Sequence, residues 1–203
     1  LFKLYISCIA ATFLFFFWCI QNLLSSQTLD SISIRQIDSL ISVSLKLAGQ
    51  GNYAKAFEIN DTAEKSALEK LGRESVGYAA TITNKGRIYY FKKDYAESEK
   101  WYFESKSILE KVVGTEVPSY AVLLNRLVAL YVVMARYEQA ETHSLKAKSI
   151  AEKVVPKEDK VYTDIILNQA ILYKNMSRLE SSESLFLELK SIRQKLLGNK
   201  HPD

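Results

Sequence analysis

Few residues of this 203-residue chain have the chemistry of a catalytic acid, base or nucleophile. We interpret His143, which stands among polar residues, as a surface or half-buried packing residue, and His201, before Pro202, as a loop residue. Nothing in the pattern around the carboxylates of Glu180 and Glu183 predicts a dry pocket that would tune their acidity. No serine lies in a nucleophile elbow, and no phosphate-binding or dinucleotide-binding glycine motif is present. We therefore predict that the chain is not an enzyme and uses no cofactor.

Thiol and metal chemistry has equally little support. Both cysteines, Cys8 and Cys19, lie before Asp30. The rest of the chain has no thiolate for a disulfide or a metal, and no cluster of residues has metal-ligand spacing. We expect no metal site, and we expect packing alone to stabilise the fold.

Charge and composition limit both the partner and the fold class. The formal net charge of +4 is small, and lysines alternate with glutamates, as at Glu104 and Lys106. This pattern is typical of solvated helix faces and argues against nucleic-acid binding. Only 7 glycines and 3 prolines are present, which favours long helices over many short strands.

A regular 42-residue period organises the chain. The period divides the chain into 42-residue segments, which we call rows. Three rows begin with a tyrosine, at Tyr78, Tyr120 and Tyr162, and an earlier row begins at Gln36. Such self-similarity is the signature of a repeat protein. At three further positions, similar residues recur from row to row, and we call each such set a column. The columns are Tyr89, Tyr131 and Tyr173; Tyr53, Tyr95, Tyr137 and Leu179; and Ile108, Ile150 and Ile192.

Each row contains two stretches of helical periodicity separated by a short break, such as the polar residues 92–94. One such helix pair cannot bury its apolar faces alone, so we expect the pairs to stack into a superhelix with a concave side. We predict an all-α fold of about four helix pairs, or eight helices, in an array that spans residues 28–203. The repeats fall at approximately 36–77, 78–119, 120–161 and 162–203.

The third and fourth rows carry a recognisable set of residues. The third has Tyr120, Ala121, Leu124, Asn125, Leu127, Leu130, Tyr131, Tyr137, Ala140 and Glu141, and the fourth closes with Leu197, Gly198, His201 and Pro202. This pattern resembles the tetratricopeptide repeat of the 42-residue kind found in kinesin light chains and in many bacterial proteins. The resemblance covers about residues 36–203 and implies a right-handed α-solenoid that binds other proteins. The first row departs most, with Ser44 and Asn60 at usual core positions.

The rows also depart from the family at the turn inside each helix pair. The turn glycine is kept at Gly51 but replaced by Lys93, Ala135 and Ser177. A left-handed backbone costs such residues about 1 kcal/mol each unless the turn adjusts. The small residue at the contact between paired helices is retained in every row, as Ala56, Ser98, Ala140 and Ser182.

The resemblance implies a binding groove lined by the first helix of each pair. Six places after each opening tyrosine stand Asn84, Arg126 and Asn168, with Asn125 beside Arg126 and Arg87 one helical turn beyond Asn84. In family members that bind peptides, asparagines at these places hold the peptide backbone, which suggests Asn84, Asn125 and Asn168. Arg87 and Arg126 would favour an acidic ligand or a carboxylate terminus. The alternative is that the asparagines only bridge neighbouring repeats.

Residues 1–27 differ from the rest of the chain. Lys3 is the only charged residue before Asp30, and the 17-residue run 4–20 is mostly apolar. This segment predicts a signal peptide cleaved near Ser26 or, alternatively, a retained membrane anchor. The run is longer than the ~7–15 apolar residues usual for a signal peptide and lies at the lower edge of the ~17–25 needed to span a bilayer. Both imply export, with the array periplasmic, secreted or anchored to the membrane only through this segment.

Three hypotheses for function follow. The first is an exported scaffold that binds a protein or peptide in its groove. The second is a regulatory region of an enzyme, either a caspase-like peptidase (CHAT) or a sensor histidine kinase, whose catalytic domain lies beyond residue 203. The third is end-to-end self-association. The last helix carries an apolar stripe without an evident partner, which also favours the N-terminal part of a longer bacterial protein: Leu185, Phe186, Leu189, Ile192 and Leu196.

Overall fold

The computed structural model describes residues 31–197, and within them the chain forms eight helices and no strand. The helices are α1 (31–49), α2 (Tyr53–Leu71), α3 (Val76–Phe91), α4 (Tyr95–Val112), α5 (Pro118–Val133), α6 (Tyr137–Val154), α7 (Lys160–Asn175) and α8 (Leu179–Leu197). Successive pairs of helices form repeats 1 to 4. The all-α fold of tandem helix pairs predicted from the sequence is confirmed.

The leader segment 1–27 and the junction residue His201 lie outside the described residues. Between residues 31 and 197, every helix is too short or too polar to cross a bilayer. The signal peptide and the membrane anchor therefore both stay predictions from the sequence.

Residues in front of the first helices explain where these helices begin. Ser75 Oγ accepts a hydrogen bond from the backbone N–H of Tyr78 at 3.1 Å, and Asp159 Oδ1 accepts one from Val161 N–H at 2.7 Å. These caps satisfy amides that have no partner inside the helix. α5 begins instead at Pro118, whose fixed φ suits the first turn and whose missing N–H is not needed there.

The turn inside each repeat contains one residue with a left-handed backbone. Its φ is 80° at Gly51, 65° at Lys93, 56° at Ala135 and 58° at Ser177. The residue after it donates its backbone N–H to a carbonyl five residues back, at 2.9 or 3.0 Å, which closes the helix end. The turn therefore does not adjust to the loss of glycine, and three non-glycine residues carry the strain.

Small residues allow the two helices of a pair to approach closely. The four residues predicted for this contact are buried, with Ser182 the most exposed at 4%. In repeat 2 the approach extends to Gly86, where a Cβ atom would lie 2.6 Å from Cδ1 of Tyr102. The buried tyrosine ring thus takes the space that a side chain at position 86 would need.

The first helices of repeats 2 to 4 pack side by side. α5 contacts both α3 and α7 as well as its own partner, α6. The opening tyrosines Tyr78, Tyr120 and Tyr162 are at most 2% exposed, so they belong to the core. The first helices therefore share one continuous surface, and this surface positions the candidate site.

The last helix corrects one prediction from the sequence. Leu185, Leu189 and Ile192 are 7%, 4% and 4% exposed, because they pack into the core that α7 shares with the preceding repeat. Phe186 and Leu196, at 40% and 56%, are the exposed members of the predicted stripe. The unpartnered face of α8 is therefore narrower than the sequence indicated.

Candidate functional site

A cavity of about 220 Å³ lies on the shared surface of α1, α3 and α5. It lies along the first helices, where the sequence predicts a binding groove. Its lining combines apolar and polar side chains, among them Asp38 and Ile41 from α1, Ala80, Thr83 and Arg87 from α3, and Val122 and Arg126 from α5.

Arg87 and Arg126 also line a second, smaller cavity of about 70 Å³. The remaining walls of this second cavity include Tyr90, Phe91 and Ala129. The two arginines thus stand between two cavities of the same groove, and the smaller one is mainly apolar and aromatic. The sequence placed both arginines in the groove, and the structure brings them together there.

The two guanidinium groups are unusually placed for charged groups. Burial, and then the neighbouring Arg126, lower the pKa of Arg87 to about 10, so Arg87 remains charged at neutral pH. Within residues 31–197, neither arginine has a carboxylate within ion-pair distance, and the Nε of Arg126 is buried without a hydrogen-bond acceptor. Two like charges therefore lie close together and partly out of water, without a direct ion pair. The nearest carboxylates are that of Asp164, which favours the charged form of Arg87, and that of Asp38, which lines the same cavity.

Asn84 lines the larger cavity, but its side-chain amide is engaged inside the protein. Its side chain is 1% exposed, and its Nδ2 donates hydrogen bonds to Ser44 Oγ at 3.1 Å and to Asn60 Oδ1 at 2.9 Å. Both N–H groups of the amide are therefore used inside the protein, between repeats 1 and 2. The structure supports the bridging alternative for this residue, since a bound peptide could not reach the amide nitrogen without opening this contact.

Asn125 and Asn168 are likewise brought together. Asn168 Nδ2 donates to Asn125 Oδ1 at 2.9 Å, and Asn125 is 4% exposed. This bond joins repeats 3 and 4 and uses the oxygen that would otherwise accept from a peptide. Asn168 is only half-buried and keeps its side-chain oxygen without a hydrogen bond among the described residues.

The sequence identified Ser44 and Asn60 as polar residues at core positions but did not connect them with Asn84. The three side chains come from different helices and meet because repeats 1 and 2 stack. Asn60 Nδ2 and Asn84 Oδ1 stay buried without a partner in this cluster. A common register in the 42-residue rows does not reveal such a contact, since the three residues occupy different columns.

Among residues 31–197, the contacts of His143 are those of packing rather than of acid–base chemistry. Its ring stacks on Tyr131 at 5.6 Å between centroids, and the Tyr131 hydroxyl donates to Glu99 instead. Burial, and then Lys106 and Lys146, lower the pKa of His143. It is a half-buried packing residue, as the sequence predicted. In the described part of the chain, no group of three or more histidines, cysteines and acidic residues could hold a metal ion.

Two family models described as Tetratricopeptide repeat match the chain, one at residues 78–153 and the other at residues 164–203. Together they cover most of repeats 2 to 4. No curated protein matches the chain significantly.

Solved structures of similar fold include BtubC (BKLC) from P. vanneervenii, at 22% identity and a TM-score of 0.63, over 82% of this chain and 68% of that chain. One crystal structure of the TPR-like repeats of a kinesin light chain-type protein from Podosopora anserina is similar at 17% identity and a TM-score of 0.66, over 83% and 80% of the two chains. A second structure of those repeats has 12% identity and a TM-score of 0.53, over 82% and 99%. At these identities the likeness concerns the fold.

Proposed function

Because the chain belongs to the tetratricopeptide repeat family, whose repeats serve as scaffolds for protein–protein interaction, we propose that it binds an acidic segment of a protein partner in the groove of its first helices. Arg87 and Arg126 hold a carboxylate of that segment. The observation that carries the proposal is the partly buried arginine pair, which forms no direct ion pair and in which Arg126 Nε lacks an acceptor.

The charge environment favours an anion at this place. Elsewhere in the described chain, arginines at repeat contacts have acidic partners, as Arg136 has Glu99 and Arg178 has Glu141. A carboxylate between Arg87 and Arg126 would relieve their repulsion and supply the acceptor that Arg126 Nε lacks. Bidentate, charge-assisted hydrogen bonds of this kind are among the strongest in proteins.

The walls beside the arginines favour an apolar side chain next to the carboxylate. Ile41 and Val122 line the larger cavity, and Tyr90, Phe91 and Ala129 line the smaller one. Phe91 is 38% exposed, so its ring is open to contact from the groove. The preferred segment therefore has an acidic residue, or a free C-terminal carboxylate, beside an apolar one.

We place this activity outside the cytoplasm. The support is the apolar run 4–20 behind Lys3, which has the composition of an export signal or an anchor. Fractionation of cells that express the chain with and without residues 1–27 tests this: loss of export on deletion is expected, and equal distribution of the two forms would contradict it.

Selection from a library of random dodecamer peptides, displayed with a free C-terminus, tests the binding proposal. Peptides rich in Asp, Glu or C-terminal apolar residues should be enriched on the wild-type chain. Amidating the C-terminus of a selected peptide then distinguishes a terminal carboxylate from a side-chain one.

The double variant Arg87→Gln/Arg126→Gln should lose these peptides. The matched control is Arg193→Gln, which changes an exposed arginine on α8, and it should retain them. Enrichment of basic peptides, or enrichment that survives in the double variant, would contradict the proposal.

A further inference from the structure

The larger cavity of the groove contains a carboxylate as well as the arginine pair. Asp38, on α1, lines this cavity together with Arg87 of α3 and Arg126 of α5. Among the described residues, no ion pair joins Asp38 to either arginine. The cavity therefore has charges of both signs in its wall, and they do not neutralise each other directly.

Asp38 is exposed, and in the described part of the chain its side chain forms no hydrogen bond and no ion pair, although Arg35 stands three residues before it on α1. Asp164 occupies the same place in the fourth row, and Lys160, four residues earlier, binds it at 2.7 Å. Four residues before Asp38 stands Ile34, which cannot form this ion pair. Asp38 therefore keeps its carboxylate free for a cation that a bound molecule supplies.

Helix geometry gives the separation of the opposite charges. Asp38 is the third residue of its row and Arg87 is the tenth residue of its row, and both rows begin with the first helix of a repeat. At ~1.5 Å per residue, this difference corresponds to about 10 Å along the helix axes. In an extended peptide, side chains two residues apart project to the same side and lie about 7 Å apart. A long basic side chain spans the remaining distance, so opposite charges two residues apart in a peptide fit this separation.

The wall between the charged residues suits a short segment. α3 contributes the small side chains of Ala80 and Thr83, and Ile41 of α1 and Val122 of α5 add apolar surface. The cavity volume of about 220 Å³ is below the roughly 300–1,000 Å³ of a pocket for a drug-sized ligand. The cavity therefore has room for the side chains of a few residues.

We propose that the segment bound in the groove carries a basic residue two places from its acidic residue, and that Asp38 binds this basic residue. The acidic residue lies between Arg87 and Arg126, as in the proposed function, on which this inference rests. Ammonium and guanidinium groups both suit Asp38, because each donates charge-assisted hydrogen bonds to a carboxylate. At an exposed carboxylate, such a contact contributes to specificity more than to affinity. The partner is thus defined by two opposite charges at a fixed spacing and not by acidity alone.

Two libraries of nonapeptides, acetylated and amidated at their ends, test the inference. One library has glutamate at the centre, the other has glutamine, and all other positions are random. From the glutamate library, the wild-type chain should retain peptides with Lys or Arg two places from the glutamate about threefold more often than peptides with Ser there. Asp38→Asn should abolish this preference, and Asp38→Lys should replace it with a preference for Asp or Glu. A basic residue alone should not suffice, so the wild-type chain should retain the glutamine library poorly.

Glu69→Gln is the matched control, because it removes an exposed carboxylate from the second helix α2 and should leave the preference for Lys or Arg unchanged. Two results would overturn this inference and leave the proposed function intact. They are retention of the glutamate library through Arg87 and Arg126 without a basic preference, and a basic preference that survives in Asp38→Asn. Equal retention of the glutamate and glutamine libraries by the wild-type chain would overturn both.

Discussion

The guanidinium of Arg87 lies near that of Arg126, and burial, then this neighbour, lower the pKa of Arg87, while both residues line the same two cavities. Among the described residues neither forms a direct ion pair with a carboxylate, although Asp164 lies near enough to favour the charged form of Arg87. Such an arrangement destabilises the unliganded protein, because both charges are partly removed from water and repel each other. An anion bound between the two arginines would remove this destabilisation, so the groove is suited to bind one.

The free energy of unfolding should reflect this repulsion. We expect Arg126→Gln to raise it by about 1 kcal/mol at low salt, because the variant removes both the like charge and the buried unpaired Nε. Denaturant unfolding at low and high salt measures the effect. Added salt should raise the free energy of unfolding of the wild-type chain more than that of the variant, because salt screens the repulsion. A variant less stable than the wild type at low salt would count against the repulsion.

The left-handed turns allow a matched pair of substitutions. Ser177→Gly should raise the free energy of unfolding by about 1 kcal/mol, because glycine adopts the φ of 58° without steric strain. Ser149→Gly makes the same chemical change in the interior of α6 and should lower it by about 0.5 kcal/mol. Thermal unfolding of the two variants checks the opposite signs, and a loss at both positions would contradict the assignment of strain.

The close contact between Gly86 and Tyr102 predicts that alanine at position 86 destabilises the protein, which is the opposite of what helix propensity alone predicts. Alanine is the better helix former, yet Gly86→Ala should lower the free energy of unfolding by about 1–2 kcal/mol, because its Cβ would clash with the buried Tyr102 ring. Gly49→Ala, whose added Cβ would meet no neighbouring atom within 4 Å outside its own helix backbone, should be neutral or stabilising. Urea unfolding of both variants is the measurement. Similar changes in the free energy of unfolding for the two variants would show that the Tyr102 ring moves aside at little cost.

His143 should make stability depend on pH. Its pKa in the folded state is below the ordinary 6.5, so the unfolded chain takes up a proton first as the pH falls. The stability is therefore fully present above about pH 6.5 and decreases as the pH falls below that value. His143→Gln should remove this part of the pH dependence between pH 7 and pH 5. If the free energy of unfolding of the variant changes with pH as steeply as that of the wild type, the pH dependence arises from other groups.

The helix pairs were predictable because they depend on local patterns that recur in every row of the sequence. Apolar periodicity, turns and small contact residues lie within one repeat, so each row supports the interpretation of the others. Even the strain at Ala135 and Ser177 followed from one missing glycine per row.

The contacts between repeats were less predictable. Asn84 occupies a groove column, but its amide turns into the stack because Ser44 and Asn60 offer polar partners from the preceding repeat. Whether a polar side chain faces the groove or the neighbouring repeat depends on how two helix pairs pack together. One row of the sequence encodes only one pair, so the row pattern does not show this. The sequence also assigned Arg87 and Arg126 to a groove, but their shared position between two cavities required the lateral packing of α3 and α5.

The most direct test of the proposed function is the affinity of an acidic peptide, chosen from the library selection, for the wild-type chain and for Arg87→Gln/Arg126→Gln. Fluorescence anisotropy with the labelled peptide gives both dissociation constants. The double variant should bind at least about tenfold more weakly while unfolding at the same or a higher denaturant concentration, because each lost charge-assisted hydrogen bond is worth about 1.5–3 kcal/mol. Equal dissociation constants for the two proteins would contradict the assignment of the arginine pair as the site that holds the carboxylate.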